Sequence, residues 1–497
     1  MNKSVEWFFN IHSLLSFIPL LLNTSFILTL THSLYFHISL FHISMMPTID
    51  FTFKVRKCES EVIVPANPTP HEFKQLSDMD DHQDLRFQIP LLNFYEHNPN
   101  LEGRDPVKII KEAIARTLVF YYPFAGRLRE GPGRKLFVEC TGEGILFIEA
   151  DADVTLGQFG DALQFSSSLS WFQDVINNVP NSDGIVNSPL LFIQVTRLKC
   201  GGFIFALRYN HTMADGFGLV QFMKAIAEIA RGAYAPSIFP IWQRALLTAR
   251  DPPRITCRHP EYDQVPVTND TAIPIDNMAH RFIFFSPLKI SALRQTLPAH
   301  LRHCSFFELI AAYVWRLRTI VLQLSPEEEV CFLCPVNLRS KINSLPLGYY
   351  GNVLVFPAEL TTVANLCGNP LGYAVELIRK AKAKVTNEYV KSLLDLVVMK
   401  GRSLSTAGWP YIVSDLRRVG FEEVDFGWGK AIYGGLTTGG LGTIPGTISF
   451  CIPFMNKNGE KGIMVPLCLP ALAMERFMAE FDASTNVEQL VDEVDSH

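Results

Sequence analysis

The alternation of hydrophobic and polar positions predicts several helices and strands in the first half of the chain. The apolar residues of Pro106–Phe120 recur at helical spacing, and the proline at its start suits the first turn of a helix. Residues 189–198 and 203–209 are apolar runs, and the Gly201-Gly202 pair between them predicts a β-hairpin. A second amphipathic helix is predicted to begin near Phe217.

The second half of the chain mixes the same two periodicities. The proline-rich stretch 233–277 has few periodic apolar residues and is predicted to connect the two halves. Strands mixed with helices on both sides of this connection predict α/β or α+β domains. The further predicted elements are helices over 305–321, 373–389 and 470–481, and strands over 51–64, 329–336 and repeatedly within 425–469.

The length of the chain predicts two domains, because 497 residues are well beyond the point at which one hydrophobic core stops growing. With 48% hydrophobic and 19% charged residues, the composition is that of a globular protein and not of a disordered one. We expect an N-terminal domain over 46–232, a connecting loop over 233–277 and a C-terminal domain over 278–497. An apolar leader, 1–45, precedes them.

Charge and cysteine content exclude several classes of protein. The net charge of −5 argues against a general nucleic-acid-binding protein. Ten cysteines are too few for a disulfide scaffold in so long a chain. Cys331 and Cys334 form a C-x-x-C on an apolar run, and no second pair of ligands at zinc spacing accompanies them. We therefore expect free thiols, a reducing compartment and no metal site.

One loop carries residues suited to general-base chemistry. In RYNHTMADGFG, His211 follows a predicted strand and Asp215 lies close to the start of a predicted helix, with Gly216 permitting close backbone approach. The ordinary pKa of histidine, about 6.5, suits the removal of a hydroxyl proton. The alternative is a loop histidine with a structural role. The same H-x-x-x-D spacing recurs at His259–Asp263 in the connecting loop, so the strand-to-helix context, and not the spacing, favours His211.

Motifs of other enzyme classes are absent from the sequence. It contains no G-x-S-x-G nucleophile elbow, no P-loop and no H-E-x-x-H zinc motif. The glycine-rich stretch 433–446 lacks a G-x-G-x-x-G that opens a helix, so we interpret it as turns between strands. These absences disfavour a serine hydrolase, a nucleotide hydrolase, a zinc protease and a dinucleotide-dependent enzyme.

The first 45 residues differ from the rest of the sequence. The apolar run 14–30 is shorter than the roughly 20 residues of a membrane span, and polar residues interrupt it. Three interpretations stay open: a signal or anchor segment, a poorly ordered extension, or sequence upstream of a true start at Met45 or Met46. A glycan on the acceptor Asn210-His211-Thr212 would cover the candidate base. We therefore expect a cytoplasmic protein, with no membrane association unless the leader is retained.

Three longer motifs resemble those of the plant BAHD acyltransferase family. They are HTMADG at 211–216, DFGWG at 425–429 and YYPFAGRL at 121–128, and the resemblance extends over residues 50–490. NLRS around Arg339 and LGYYGN at 347–352 add to it. The resemblance implies an α/β fold of two domains with chloramphenicol acetyltransferase-like architecture, each a mixed sheet with helices, and an active-site tunnel between them.

The resemblance also implies a role for each matching residue. His211 resembles the family's general base, and Asp215 resembles an aspartate that points away from the substrate and pairs with an arginine. Arg339 is our candidate for that arginine. Asp425 is kept as a third candidate catalytic residue, although the family's DFGWG motif lies far from the reacting atoms. Ser414, in a segment where many relatives have Thr-Ser-Trp, is a candidate donor to the oxyanion, with a turn serine as the alternative.

Supporting roles are expected for the rest of these motifs, namely Gly216, Phe426, Gly427, Trp428 and Gly429. Within the family the chain is similar to the benzyl alcohol O-benzoyltransferases and related alcohol acyltransferases. This implies acyl-CoA as a co-substrate, no permanently bound cofactor, a small alcohol as acceptor and a monomer. Anthraniloyl-CoA or acetyl-CoA with methanol or aliphatic alcohols stays open as an alternative, as do a non-catalytic acyl-CoA-binding protein and a membrane-anchored enzyme.

Overall fold

Two mixed β-sheets and the helices on them make up most of the structure, a computed structural model that describes residues 53–159, 172–176, 184–263, 277–400, 409–436, 446–456 and 458–494. All of these residues belong to one compact unit, Asp50–His497. The predicted leader lies outside the described residues. No helix in the described ranges is both long and apolar enough to span a bilayer.

The strands are numbered in chain order. They are β1 Val55–Lys57, β2 Glu61–Ile63, β3 Phe73–Gln75, β4 Gln88–Tyr95, β5 Arg127–Glu130, β6 Leu136–Glu139, β7 Ile145–Ala152, β8 Leu191–Leu198, β9 Phe203–Asn210, β10 Met278–Phe285, β11 Glu329–Leu333, β12 Val336–Asn337, β13 Leu354–Val355, β14 Ala358–Thr362, β15 Pro410–Asp415, β16 Tyr433–Gly435, β17 Ile448–Met455 and β18 Lys461–Pro470.

The helices follow the same convention. They are α1 Pro106–Phe120, α2 Phe172–Val175, α3 Gly216–Ala230, α4 Pro287–Gln295, α5 Phe306–Leu322, α6 Val363–Gly368, α7 Leu371–Ala383, α8 Asn387–Lys400 and α9 Ala471–Val494. Short 3-10 turns at Arg244–Leu247 and Pro260–Tyr262 interrupt the connection between the halves.

The first sheet places the candidate base at the end of an interior strand. Its order is β1-β7-β8-β9-β4-β16, with β2 also paired to β7. Strand β9 is buried at every position because β8 and β4 flank it on both edges and helices cover it. Helices α1 and α3 pack together on this sheet. The strand that leads into the HTMADG loop is therefore one of the best-fixed elements of the protein.

The second sheet comes from the C-terminal half, with the order β10-β18-β17-β15-β11-β14. Helices α5, α7 and α9 pack around its apolar core, with Trp315 of α5 completely buried. Parts of the C-terminal half also pack with the first sheet. Strand β16, from the C-terminal half, pairs with β4 of the first sheet, and Phe450 of β17 packs into the first sheet's core. The division into domains at 46–232 and 278–497 stays a prediction.

Several predicted elements are confirmed. Helix α1 covers the predicted range, with Asp105 as its N-cap and Pro106 in its first turn. The hairpin of β8 and β9 is antiparallel, and α3 begins one residue before the predicted start. Helix α5 begins after a capping box formed by Ser305 and Glu308.

Other predicted boundaries are wrong for identifiable reasons. The helix predicted over 373–389 is two helices, because the hydroxyl of Thr386 caps the main chain of Tyr389 and starts α8. The strand predicted over 329–336 ends at Leu333, since Pro335 has no amide to donate to a ladder. The opening strand is two short strands, β1 and β2. The last helix continues beyond its predicted end.

Candidate active site

The HTMAD segment connects β9 to α3 and is fixed from its first residue. Asn210, the last residue of β9, is buried, and its Oδ1 accepts hydrogen bonds from the amide (3.1 Å) and the hydroxyl (2.7 Å) of Thr212. The glycan acceptor found in the sequence is therefore part of the folded loop, and its side-chain amide is enclosed in the protein.

His211 is held by its main chain. Its amide donates to the carbonyl of Phe87 (3.0 Å), and its carbonyl accepts from Nδ2 of Asn352 (2.8 Å). The imidazole centroid lies 5.5 Å from that of the Phe87 ring and 5.8 Å from that of the Tyr209 ring. The residue is half-buried, whereas its Nδ1 atom is fully buried and has no hydrogen-bond partner in the described part of the chain. A reactant can therefore reach only part of the ring.

Burial lowers the pKa of His211 below its ordinary value. Its own carbonyl, the carboxylate of Asp215, the side chain of Asn352 and the carboxylate of Asp80 act in the opposite direction, but they do not cancel the loss of solvation. The imidazole is therefore neutral at neutral pH, which is the protonation state that a general base requires.

Both carboxylate oxygens of Asp215 accept hydrogen bonds from groups other than His211. Its two carboxylate oxygens accept from both Nη atoms of Arg339, at 2.6 and 2.9 Å. Oδ1 also accepts from the amide of Gly218 (2.9 Å), which caps α3, and Oδ2 accepts from the amide of Val353 (3.0 Å). With four donors on one buried carboxylate, no acceptor is left for the imidazole. Asp215 fixes the start of α3, and the candidate Arg339 is its partner.

The LGYYGN motif lies directly against this loop. The carbonyl of Gly351 accepts from Arg339 (3.0 Å), and the amide of Val353 reaches Asp215. Gly218 of α3 packs so tightly on this segment that a Cβ atom there would lie 2.0 Å from the carbonyl oxygen of Tyr350. At Gly216 the nearest neighbour of a Cβ would be a Val419 methyl at 3.3 Å, a much less restrictive contact. Of the two glycines, Gly218 is thus the one that the packing requires.

The DFGWG motif forms a tight turn at the far end of the first sheet. Oδ1 of Asp425 accepts from the amides of Gly427 (2.7 Å) and Gly429 (2.9 Å), and both glycines have positive φ, 115° and 100°. The ring of Trp428 packs edge-on against Phe203, 5.4 Å away. Phe426 lies 4.9 Å from the ring of Phe205.

These contacts separate Asp425 from His211. Phe203, which contacts the DFGWG turn, is the first residue of β9, whereas His211 follows the last residue of that strand. A strand of 8 residues is about 25 Å long, so the turn and His211 lie about that far apart. Arg231, whose side chain binds the carbonyl of Asp425, follows the end of α3, about 20 Å from the Asp215 cap. The structure therefore argues against a direct part for Asp425 in proton transfer and gives it a role in the turn.

Ser414 lies half-buried on β15, opposite Phe450 of β17. Partners in register point to the same face of a sheet. Because Phe450 packs into the core of the first sheet, Ser414 also faces that side. A contact of Ser414 with an oxyanion stays a prediction.

The histidine of the second H-x-x-x-D, His259, has a structural role. His259 is buried, and its Nε2 contacts the hydroxyl of Ser392 (2.9 Å) while its Nδ1 contacts Glu261 (3.2 Å). Tyr389 donates to the same glutamate. This cluster attaches the connecting loop to α8, and both ring nitrogens of His259 are occupied. The two motifs therefore differ in surroundings and not in spacing.

Three residues beneath the HTMADG loop were not found from the sequence: Asp80, Arg244 and Asn352. They form a buried network that reaches the carbonyls of His211 and Met213. The sequence carried two signals: the LGYYGN motif, which ends at Asn352, and the acidic segment DMDDH at 78–82, which would ordinarily be interpreted as a solvated turn. All five of its residues are buried.

A basic pocket of about 490 Å³ lies at the end of β15. Its walls include Arg294 of α4, Arg417, Lys461 of β18 and the half-exposed ring of Phe306. Arg417 is neutralised by both oxygens of Asp415, at 2.7 Å each. Arg294 donates to the carbonyls of Arg302 and Cys304 and to the sulfur of Cys304, none of which carries a full negative charge. No carboxylate in the described ranges pairs with Lys461. The pocket therefore has an excess of positive charge beside an aromatic face.

Within the described ranges, no three histidine, cysteine, aspartate or glutamate side chains cluster as metal ligands would. All ten cysteines are described, and all are free thiols. Burial raises the pKa of the Cys331 and Cys334 thiols, each to about 12, so both are protonated at neutral pH.

Comparison with known sequences decides the family. The profile of the Transferase family matches residues 53–484, which is most of the chain. The chain belongs to this family, that of the BAHD acyltransferases. It is an acyl-CoA-dependent acyltransferase.

Individual relatives agree with the family and the fold. The chain is 59% identical to benzyl alcohol O-benzoyltransferase from Nicotiana tabacum over 89% of its own length and 96% of the relative's. It is 50% identical to alcohol acyl transferase 1 allele GSa from Malus domestica, over 89% and 96%. The crystal structure of vinorine synthase superposes with a TM-score of 0.65 at 22% identity, covering 85% of this chain and 96% of that one. This BAHD acyltransferase therefore has the two-domain, chloramphenicol acetyltransferase-like α/β fold.

Proposed function

We propose that the protein transfers a benzoyl group from benzoyl-CoA to the hydroxyl of a small alcohol such as benzyl alcohol, with His211 as general base. The observation that carries the proposal is the half-buried, neutral imidazole with its backbone fixed on both sides, in a BAHD acyltransferase. The similarity to benzyl alcohol O-benzoyltransferase supports the choice of substrates.

The proposed reaction needs no covalent intermediate on the enzyme. Nδ1 of His211 faces the interior, which leaves Nε2 to take the hydroxyl proton as the alcohol oxygen attacks the thioester carbonyl. A new carbon–oxygen bond forms and the carbonyl oxygen becomes an oxyanion. When the tetrahedral intermediate collapses, the carbon–sulfur bond breaks and the thiolate of CoA recovers the proton from the imidazolium. Ser414 is our candidate donor to the oxyanion.

We further propose that the basic pocket at the end of β15 binds the phosphates of the acyl-CoA. Phosphate groups favour unneutralised cations, and Arg294 and Lys461 supply two of them. The exposed face of Phe306 is suited to stacking against the adenine ring. An acyl chain that extends from this pocket would approach along β15, which also carries Ser414.

The experiment measures release of free CoA from benzoyl-CoA with benzyl alcohol, for the wild type and His211→Ala. We expect alcohol-dependent release in the wild type and a loss of about 10²- to 10⁴-fold in the variant, which is the usual contribution of a general base. The matched control is His259→Gln, which changes the histidine of the other H-x-x-x-D. This control should lose stability but keep the kcat of the folded protein.

Three outcomes would change the proposal. Normal kcat in folded His211→Ala would remove His211 as the base. Release only with anthraniloyl-CoA or acetyl-CoA and with methanol or aliphatic alcohols would favour the second candidate, which the similarity to an apple alcohol acyl transferase supports. Absence of release across the whole panel would favour a non-catalytic acyl-CoA-binding protein.

We also propose a cytoplasmic monomer without a permanently bound cofactor. Free thiols at all ten cysteines support a reducing compartment. Expression of the full-length chain beside a chain that starts at Met46, followed by cell fractionation and light scattering, tests the location, the leader and the oligomeric state together.

A further inference from the structure

Asp80 is a fully buried carboxylate with an unusual number of donors. Its Oδ1 accepts from Nη1 of Arg244 (2.9 Å) and from both the amide (2.8 Å) and Nδ2 (3.0 Å) of Asn352. Its Oδ2 accepts from the hydroxyl (2.5 Å) and the amide (3.2 Å) of Ser77. A buried carboxylate is stable only when such donors replace water, so this one fixes three separate segments of the chain at a single point.

Two of the donors continue to the HTMADG loop. Asn352 uses its Nδ2 group to bind the carbonyl of His211 at 2.8 Å, and Nη2 of Arg244 binds the carbonyl of Met213 at 2.8 Å. Arg244 is itself held by the faces of Trp242 and Tyr350, 4.4 and 4.9 Å from the guanidinium. Asp80 therefore determines where both donors lie, and the donors determine where both loop carbonyls lie.

The carbonyl of His211 matters for the ring as well as for the main chain. It acts on the imidazole of the same residue and favours its protonated form. A carbonyl that accepts from Asn352 cannot rotate freely, so its direction relative to the ring is fixed. The rest of the loop is held separately by Asp215 with Arg339, at the start of α3.

We propose that Asp80 is a positioning residue for His211, and that it acts through Asn352 and Arg244 on the two loop carbonyls. The inference rests on the proposed role of His211 as the base. It assigns to the acidic segment 78–82 a part in the reaction in addition to its part in packing. Asp80 itself has no contact with the reacting atoms in this account.

The same segment supplies a matched control. Asp78 is also buried, forms an ion pair with Lys135 and accepts from the amide of Ala249 (2.8 Å) in the connecting loop. Both of these partners lie outside the HTMADG loop. Asp78→Asn and Asp80→Asn therefore remove the same charge from neighbouring buried sites, and only one of the two sites is linked to His211.

The experiment measures kcat, KM and the pH dependence of kcat/KM for both variants at a temperature where both are folded. For Asp80→Asn we expect kcat to fall by about 10- to 100-fold with little change in the KM of acyl-CoA, since a misplacement of about 1 Å costs about 10²-fold. The acid limb of the profile should move to lower pH, because a carboxylate that favours the imidazolium is lost. In Asp80→Asn, the charged groups that remain near His211 are Asp215 with Arg339, and Arg244 without its carboxylate partner. The unpaired positive charge of Arg244 also disfavours the imidazolium and moves the acid limb to lower pH.

Asp78→Asn should lower the melting temperature without moving either kcat or the acid limb. If Asp80→Asn behaves in the same way, the inference is overturned and Asp80 serves only the fold. If Asp80→Asn does not fold, Asn352→Ala decides, because it removes the donor to His211 and keeps the pair of Asp80 with Arg244. A normal kcat in Asn352→Ala would then overturn the inference. Activity retained in His211→Ala would instead refute the proposed base, which is a separate result.

Discussion

Replacement of Asp215 by asparagine separates the ion pair with Arg339 from the other functions of this carboxylate. Asparagine is as good an N-cap as aspartate, so the hydrogen bond to Gly218 that starts α3 can persist. What is lost is the charge that binds both Nη atoms of Arg339, at 2.6 and 2.9 Å. The amide group also places a donor where the arginine has only donors.

The expected loss of stability follows from the burial of the two partners. Breaking a fully buried pair costs about 3 to 5 kcal/mol. The Asp215 side chain is 4% exposed, but Arg339 is 22% exposed and can recover some hydration, so we expect about 2 to 3 kcal/mol. At about 2 cal/mol/K of unfolding entropy per residue over 497 residues, this lowers the melting temperature by about 2 to 3 °C.

The rate should fall further than the stability suggests. Arg339 also binds the carbonyl of Gly351, next to the asparagine that holds the carbonyl of His211. A shift of this segment moves the base relative to the alcohol, and we expect kcat to fall by about 10- to 100-fold. The assay is CoA release at saturating substrates, beside a thermal melt of the same preparation.

Asp105 provides the matched control for this prediction. It is the N-cap of α1, accepts from the amide of Val107 (3.1 Å) and binds Arg197 through both oxygens, at 2.9 and 2.6 Å. Arg197 lies opposite the first residue of β9, about one strand length from His211. Asp105→Asn should therefore lower the melting temperature and leave kcat unchanged. Equal losses of kcat in the two variants, or a full rate in Asp215→Asn, would refute the reasoning.

Three further predictions concern other parts of the site. Because burial lowers the pKa of His211, the neutral base should persist below pH 6.5, and kcat/KM should fall only as the pH drops through that lowered value; an acid limb above the ordinary value for histidine would contradict this. Lys461→Ala should raise the KM of acyl-CoA by about 3- to 10-fold with kcat unchanged, since a phosphate contact is lost. The control Lys430→Ala loses only a surface ion pair with Glu423 and should leave this KM unchanged. Asp425→Asn should reduce the melting temperature but not the kcat of folded protein, and a selective loss of kcat would restore Asp425 as a catalytic candidate.

Much of the site could be predicted from sequence because it rests on local features. The hairpin of β8 and β9, the start of α3 and the placing of His211 between them follow from apolar periodicity, a Gly-Gly turn and a capping aspartate. Each of these depends on residues close together in the chain. The strand-to-helix context also favoured His211 over His259, but the partners that occupy both ring nitrogens of His259, Ser392 and Glu261, are brought there only by folding.

The sequence by itself determined the elements, the mixed class of the fold and the histidine. The tertiary structure decided which groups serve it, because those groups come from distant segments. Asp80, Arg244 and Asn352 are up to 272 positions apart, and only folding brings them to one buried point. The place of DFGWG, a whole strand away from His211, was likewise decided by how β9 and α3 extend from the loop. Buried charges need partners wherever the fold can supply them, and a local pattern of residues does not contain that information.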